Sequence, residues 1–376
     1  PKGTISFAIG NIAPDKSAPI LLYCAGGVRS AAAAETLAGL GYTNLRSLAG
    51  GINGWTEAGL PIVETTTLTP EQKSRYSRHL LLPGVGADGQ AKLLDARVLL
   101  VGAGGLGAPA ALYLAAAGVG HLRIIDFDAV ESSNLQRQVI HTTDRVGMPK
   151  VESAAVQIRA LNPDVQVEAI DGALDVDNVA SLLEGVDVVI DGTDTFEARY
   201  ALNDAAVRLG VPVVHAGVFR FEGQLTVLAP GRGPCYRCLY PDPPPPGMVP
   251  SCAEGGVLGV LPGIIGCIQA TEILKLALGK GTSLINRLVL FNALDLKFRE
   301  LKLRRDPKCP LCGDAPTIKE LIDYEMFCGI QPASPEPASN PDEVTVQDMK
   351  RALDNPALGI KVVDVREADE YEIAKV

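Results

Sequence analysis

The stretch Val98-Leu-Leu-Val-Gly-Ala-Gly-Gly-Leu-Gly107 decides the fold of this chain. Apolar residues run into a cluster of glycines, and a second apolar run, Ala108 to Ala117, follows. The pattern reads as a buried strand, a tight turn and a helix. Gly102 ends the strand, Gly104 lets the backbone come close to a phosphate, and Gly107 lets the helix pack against the sheet. The helix start offers free N–H groups and a positive dipole end to an anion. One helix and one strand later, HLRIIDFD puts Asp126 at a strand end, where it can bind ribose hydroxyls. These residues alone fit a nicotinamide dehydrogenase as well as any other nucleotide-binding enzyme.

The rest of the chain is organised around that unit. With 376 residues, 47% of them hydrophobic, it has room for two or three domains with real cores. The strands RVLLV, HLRIID, QVEAI, VDVVID and PVVHAGV alternate with expected helices at 108–117, 149–161, 176–184 and 197–209. That order is α/β, a Rossmann-like domain with a mainly parallel sheet. We place it at 65–329, opened by a helix for which Thr69 is the N-cap and Pro70 the first turn. Residues 1–64 form a smaller α/β block, 330–342 a linker rich in Pro, Ser and acidic residues, and 343–376 a last block with a helix from Thr345 to Leu353 and a strand IKVVDV. The net charge of −10 and the lack of a basic run argue against nucleic acid as a partner. No apolar stretch of ~20 residues and no signal peptide is visible, so no membrane association and a cytoplasmic location are expected.

The chemistry gathers beyond the sheet's carboxyl edge. After Asp126 come Asn134 and Arg137, then Lys150 at a helix start, then Asp191 and Asp194 in VVIDGTDTFEAR. Hydride transfer does not require such a cluster. Attack at an α-phosphate does, because cations stabilise charge on the phosphate and an Asp can hold Mg2+.

Eight cysteines carry a second set of signals. Cys235 and Cys238 (PCYRC) match Cys309 and Cys312 (CPLC) in spacing. Four thiolates make a closed, structural Zn2+ site, although two unrelated turn pairs or a redox pair share the spacing. Cys252 lies in PDPPPPGMVPSCAEGG, an exposed crossover by composition, and is either functional or a dispensable thiol. Cys267, in GIIGCIQA, reads as a small core residue, and Cys328 has no readable context. Cys24 ends a strand in LLYCAGGVRS, and its loop winds into a helix start. Gly26 and Gly27 free the backbone to aim N–H groups at the sulfur. With the helix dipole and Arg29, they lower the thiol pKa and suit a persulfide anion.

Two resemblances give these residues roles. Residues 68–315 resemble the adenylating enzymes that activate ubiquitin-like sulfur carriers in the molybdopterin-synthase and thiamine pathways, relatives of the ubiquitin-activating enzymes. The matching stretches are RYSRHLLLPGVGADGQ, GAGGLG, DFDAVESSNLQRQ, GMPKVESA, DGTDTFEARY, FEGQLTV, PCYRC, GVLPGIIGCIQATEILK and CPLCG. The resemblance implies that Gly105 and Asp126 bind ATP, that Asn134, Arg137 and Lys150 contact its phosphates, and that Asp194 handles Mg2+. It also implies that Arg78 reaches into the partner's site of a homodimer like an arginine finger. One departure is Thr195, where relatives often carry Asn. In several relatives the cysteine matching Cys252 forms a thioester or disulfide with the carrier.

Residues 19–62 resemble the second half of a rhodanese domain through YCAGGVRS, GY, LAGGINGW and GLP, which implies that Cys24 carries a persulfide. The opening piece of such a domain resembles KVVDVREADEYEIA at 361–374. Either the chain is an internal segment of a longer protein, or the last block completes the first. Alone, residues 1–64 are not expected to bury their sheet.

The expected function is adenylation of a carrier's C-terminal Gly-Gly, followed by delivery of persulfide sulfur from a donor such as a cysteine desulfurase or thiosulfate. The competing expectations are a nicotinamide oxidoreductase fused to a sulfurtransferase and a non-catalytic carrier-binding scaffold.

Overall fold

A computed structural model describes residues 5–62, 68–245, 248, 255–329, 344–355, 361 and 363. Cys252, the linker and most of IKVVDV lie outside these residues. The chain forms two compact units, Pro1–Lys92 and Leu93–Val376.

In the first unit, β1 (Ile20–Leu22) and β2 (Leu45–Ser47) pair in parallel, with Ile20 opposite Leu45. A crossover helix, Val28–Gly39, joins them. Leu37, Tyr42 and Ile9 of the helix Ile5–Ile12 make its small core. Leu21 and Tyr23 stay largely exposed, as expected of a two-stranded sheet with little to cover it. Farther on, Thr69 caps the helix Pro70–Arg75 through a capping box with Gln72, and Pro70 occupies the first turn.

The second unit is built on one eight-stranded sheet, in the order β10-β9-β8-β7-β6-β3-β4-β5. Its strands are β3 (Arg97–Val101), β4 (His121–Asp126), β5 (Gln166–Asp171), β6 (Val188–Asp191), β7 (Val213–Phe219), β8 (Glu222–Leu228), β9 (Arg287–Asn292) and β10 (Lys297–Lys302). Strands β7, β6, β3, β4 and β5 run parallel, and β8 to β10 extend the sheet antiparallel. The apolar run of β3 is explained by burial on both faces. Val98 and Leu100 enter the core under helices Gly107–Ala117, Lys150–Leu161 and Val260–Leu278. Leu99 and Val101 enter the opposite core, under Val179–Leu183 and Phe196–Leu209. The outer strand β10, KFRELK, is exposed throughout, and its charges protect a free edge.

The helix Val260–Leu278 is long and apolar enough to cross a membrane. Here it packs on the helix Gly107–Ala117 and on β7 and β8. Its Gln269 donates to the carbonyls of Asp191 and Val214, and its Glu272 accepts from the Leu284 N–H. Cys267 on this helix is half-buried, and burial pushes its thiol pKa up. Cys328, unreadable from the sequence, is buried in the core beside Tyr200 and Tyr324.

Candidate functional site

The central strand β3 lies between β4 and β6, so the chain leaves in opposite directions on either side of it, and a crevice opens at the carboxyl ends. Gly102 starts the crevice floor with φ of 98°, a conformation costly for any side chain. The Gly102 N–H donates to the Ile125 carbonyl, and the Gly192 N–H donates to that of Val101, so the turn is tied to both neighbouring strands. A Cβ at Gly107 would lie 2.0 Å from the Gly102 carbonyl oxygen. That is the close helix–turn approach expected from the sequence.

Around this turn lies a cavity of about 1050 Å3. Gly102, Gly104, Gly105, Asp126, Arg137, Lys150 and Asp194 line it together. Asp126 ends β4; its Oδ2 accepts from the Ala103 N–H at 2.8 Å and its Oδ1 from the Asp128 N–H at 2.9 Å. Burial raises its pKa, against the pull of nearby Lys150. Lys150 begins its helix and is buried, with Nζ 2.6 Å from Asp128 Oδ2. Arg137 donates to the Ser133 carbonyl at 3.2 Å. Asp194 is exposed on the loop after β6, next to Thr195, the N-cap of the helix Phe196–Leu209.

One expected residue, Asn134, is placed differently, and Arg78, expected to serve a partner's site, belongs to the first unit. Asn134 does not line the cavity: it is buried in a short turn, its Oδ1 accepting from the Glu131 N–H at 3.1 Å. Arg78 is an exposed residue of the helix Ser77–Leu80 in the first unit. Asp191 is spent on structure. Its Oδ2 lies 2.6 Å from His215 Nδ1, and its Oδ1 accepts from the Thr193 N–H and hydroxyl. These partners hold its carboxyl below the usual range despite full burial. Arg199 lines the cavity and was not singled out from the sequence. Its guanidinium donates to the Thr193 carbonyl at 2.8 Å. Its place in the first turn after the DGTDT loop was the available signal.

In the same unit, the sulfurs of Cys235, Cys238, Cys309 and Cys312 all lie within 4.8 Å of one another. Neighbouring pairs are 3.3 to 3.9 Å apart, too far for a disulfide of about 2.05 Å. Tetrahedral thiolates on zinc at about 2.3 Å would sit roughly 3.8 Å apart, so the cluster fits that ion. Leu311, Val207 and Ile318 pack around it.

In the first unit, Cys24 lies in the loop between β1 and the helix Val28–Gly39. Its Sγ accepts from the Gly27 N–H at 3.1 Å and lies 3.5 Å from the Ser30 hydroxyl. The pKa falls to about 6, chiefly through Ser30, with the Ser30, Gly27 and Arg29 N–H groups adding to it. Ser30 is held in turn by the Ser47 hydroxyl at the end of β2. The LAGGINGW segment closes over the loop: the Ile52 and Asn53 N–H groups donate to the carbonyls of Cys24 and Ala25. A Cβ at Gly51 would lie 2.2 Å from the Cys24 carbonyl oxygen, which explains the paired glycines there. The role of Ser30 was not read from the sequence, because it depends on the fold of the loop.

Comparison with known proteins gives two family matches: the ThiF family over residues 76–311 and a rhodanese-like domain over 5–58. A SAMP-activating enzyme E1 of Haloferax volcanii is 53% identical over 267 residues, covering 71% of this chain and 98% of the relative. A probable adenylyltransferase/sulfurtransferase MoeZ of Mycobacterium tuberculosis is 46% identical, covering 84% and 80%. The mouse (Mus musculus) adenylyltransferase and sulfurtransferase MOCS3 is 47% identical, covering 84% and 70%. Among solved structures, E. coli MccB aligns with a TM-score of 0.58 at 24% identity, over 64% of this chain and 74% of that one, and shares the fold.

Proposed function

The chain belongs to the ThiF family, carries a rhodanese-like domain and is an enzyme of the adenylyltransferase and sulfurtransferase kind, and from that premise we propose how its two centres divide the work. The first reaction takes place in the cavity of the second unit. The C-terminal glycine carboxylate of a ubiquitin-like sulfur carrier attacks the α-phosphate of ATP, and pyrophosphate leaves. The product is an acyl-adenylate, a carboxylate made reactive toward sulfur.

The observation that carries this reading is the convergence of the glycine turn, Asp126, Arg137, Lys150 and Asp194 on one cavity. The N–H groups of Gly104 and Gly105 and the cations of Arg137 and Lys150 would face the triphosphate and neutralise charge as it develops on the α-phosphate. Asp126 accepts from the ribose. Asp194, exposed at the rim, would hold Mg2+, which supplies charge neutralisation at the leaving pyrophosphate. The cavity matches the upper end of the ~300–1,000 Å3 range of small-ligand sites, a size that suits a nucleotide. Arg78 is proposed to serve the site of a partner subunit in a homodimer. Asn134 acts one step back, by shaping the turn that carries Arg137.

The second reaction belongs to Cys24. Its thiolate attacks the outer sulfur of thiosulfate, expelling sulfite, or of a cysteine desulfurase persulfide, expelling the donor's thiolate, and holds that sulfur as a persulfide. The terminal sulfur then attacks the adenylated carbonyl and AMP leaves. A second thiol attacks the Cys24 sulfur of the resulting acyl disulfide; the carrier thiocarboxylate leaves, and the disulfide formed on Cys24 is reopened by a dithiol reductant. Cys252 is proposed as a thiol that links covalently to the carrier. The four-cysteine cluster would hold Zn2+ as a structural clip, and the enzyme is proposed to work in the cytoplasm.

Family membership decides against the nicotinamide reading that the glycine turn alone left open. Incubation of a Gly-Gly carrier with the enzyme, ATP and thiosulfate should produce carrier in which sulfur replaces a terminal oxygen, read by intact mass. Carrier of unchanged mass, with ATP consumed, would contradict the coupling of the two reactions.

A further inference from the structure

Ala103 sits in the glycine turn between Gly102 and Gly104, and side chains hold both its polar backbone groups. Its N–H donates to Asp126, and its carbonyl accepts from His141 Nε2 at 3.0 Å. His141 is buried, and its Nδ1 lies 2.9 Å from the Ser153 hydroxyl, on the helix that begins with Lys150. A carbonyl can only accept, so Nε2 carries the proton and Nδ1 accepts from Ser153. Burial drives the pKa of His141 down to about 4, so the ring is neutral at ordinary pH.

The peptide that His141 grips precedes a glycine and is open to rotation. Gly104 on its C-terminal side frees one of the two torsions about which the Ala103–Gly104 peptide turns. In a trans peptide the carbonyl and the following N–H point opposite ways. A carbonyl held by His141 therefore turns the Gly104 N–H away from His141, and Gly104 lines the cavity. The flipped peptide would present a carbonyl oxygen to the phosphates, the wrong dipole for an anion. Resting on the nucleotide reading of the cavity, we propose that His141 is a positioning residue: it locks the Ala103–Gly104 peptide so that the Gly104 N–H faces the nucleotide phosphate.

The test compares wild type with H141F, H141Q and S153A in carrier-dependent ATP–pyrophosphate exchange. H141F keeps the ring volume without a donor and should raise the KM for ATP about tenfold, with the KM for the carrier unchanged. H141Q places an amide N–H near the position of Nε2 and should recover most of that loss. S153A leaves the ring but removes the hydroxyl that selects its tautomer, and should raise the KM for ATP by a smaller factor. Ring 15N shifts of His141 in wild type should show the neutral Nε2–H tautomer between pH 6 and 8, a readout that stands even where H141F fails to fold. An Nδ1–H tautomer, or H141F with wild-type KM for ATP, overturns the proposal. Wild-type enzyme that binds no ATP in direct titration overturns the nucleotide reading itself, and this inference with it.

Discussion

Cys24 owes its low pKa to neighbours that only the folded loop supplies, and its behaviour with pH follows from them. With a thiol pKa of about 6, the thiolate form dominates above that value and is lost as pH falls through it. Thiosulfate-to-cyanide sulfur transfer should therefore rise through pH 6 and level off above it. Ser30→Ala removes the largest lowering cause, so the midpoint should move up toward the ordinary thiol range; an unmoved midpoint would contradict this account of the loop. Cys24→Ser should abolish the same transfer while sparing adenylation, and equal loss of both would contradict the division between centres. Asp194 is exposed on its loop at the cavity rim, so its removal leaves no hole in the core. Asp194→Ala should remove Mg2+-dependent exchange while changing stability by less than about 0.5 kcal/mol, measured by denaturant unfolding. At this scale the sequence was legible wherever the chemistry is local. The glycines, Cys24 and the paired cysteines announce themselves by spacing. Asp191 did not, because its partner His215 lies one helix and one strand away and turns an apparent site carboxylate into a structural one.

The parallel half of the sheet was readable because each strand is a short apolar run with a helical pattern after it. Its ends were also readable, since Gly102 and Asp126 both fall where a strand stops. The antiparallel extension β8 to β10 was not read. β10 alternates no better than a loop, being an exposed charged edge. The helix Val260–Leu278 read only as an apolar run, because burial on more than one side erases its amphipathic stripe. Gly107 tests the element that matters most, the turn-to-helix junction. Gly107→Ala puts a methyl group against the backbone oxygen of Gly102, which no rotamer can relieve. It should cost at least about 2 kcal/mol of unfolding free energy and raise the KM for ATP. Full stability with unchanged ATP affinity would show that the junction is looser than described.

Across the molecule, the four-cysteine clip joins chain segments 74 residues apart. Arg237, inside the first cysteine pair, is fully buried against Asp204 of the helix Phe196–Leu209, with donors at 2.8 to 3.0 Å from its carboxylate. Its guanidinium also stacks over the rings of Tyr200 and Phe327. The clip thereby anchors the helix whose first turn follows Asp194. Freshly purified protein should contain about one zinc per chain, and chelation should lower its melting temperature. Asp204→Ala, which leaves Arg237 buried and unpaired, should cost about 3–5 kcal/mol, read from denaturant midpoints. The most direct test of the whole account is ATP–pyrophosphate exchange with and without a small carrier ending in Gly-Gly. Exchange should require the carrier and Mg2+ and be lost in Arg137→Ala; no exchange with any Gly-Gly carrier, or exchange indifferent to Arg137, would contradict adenylation in this cavity.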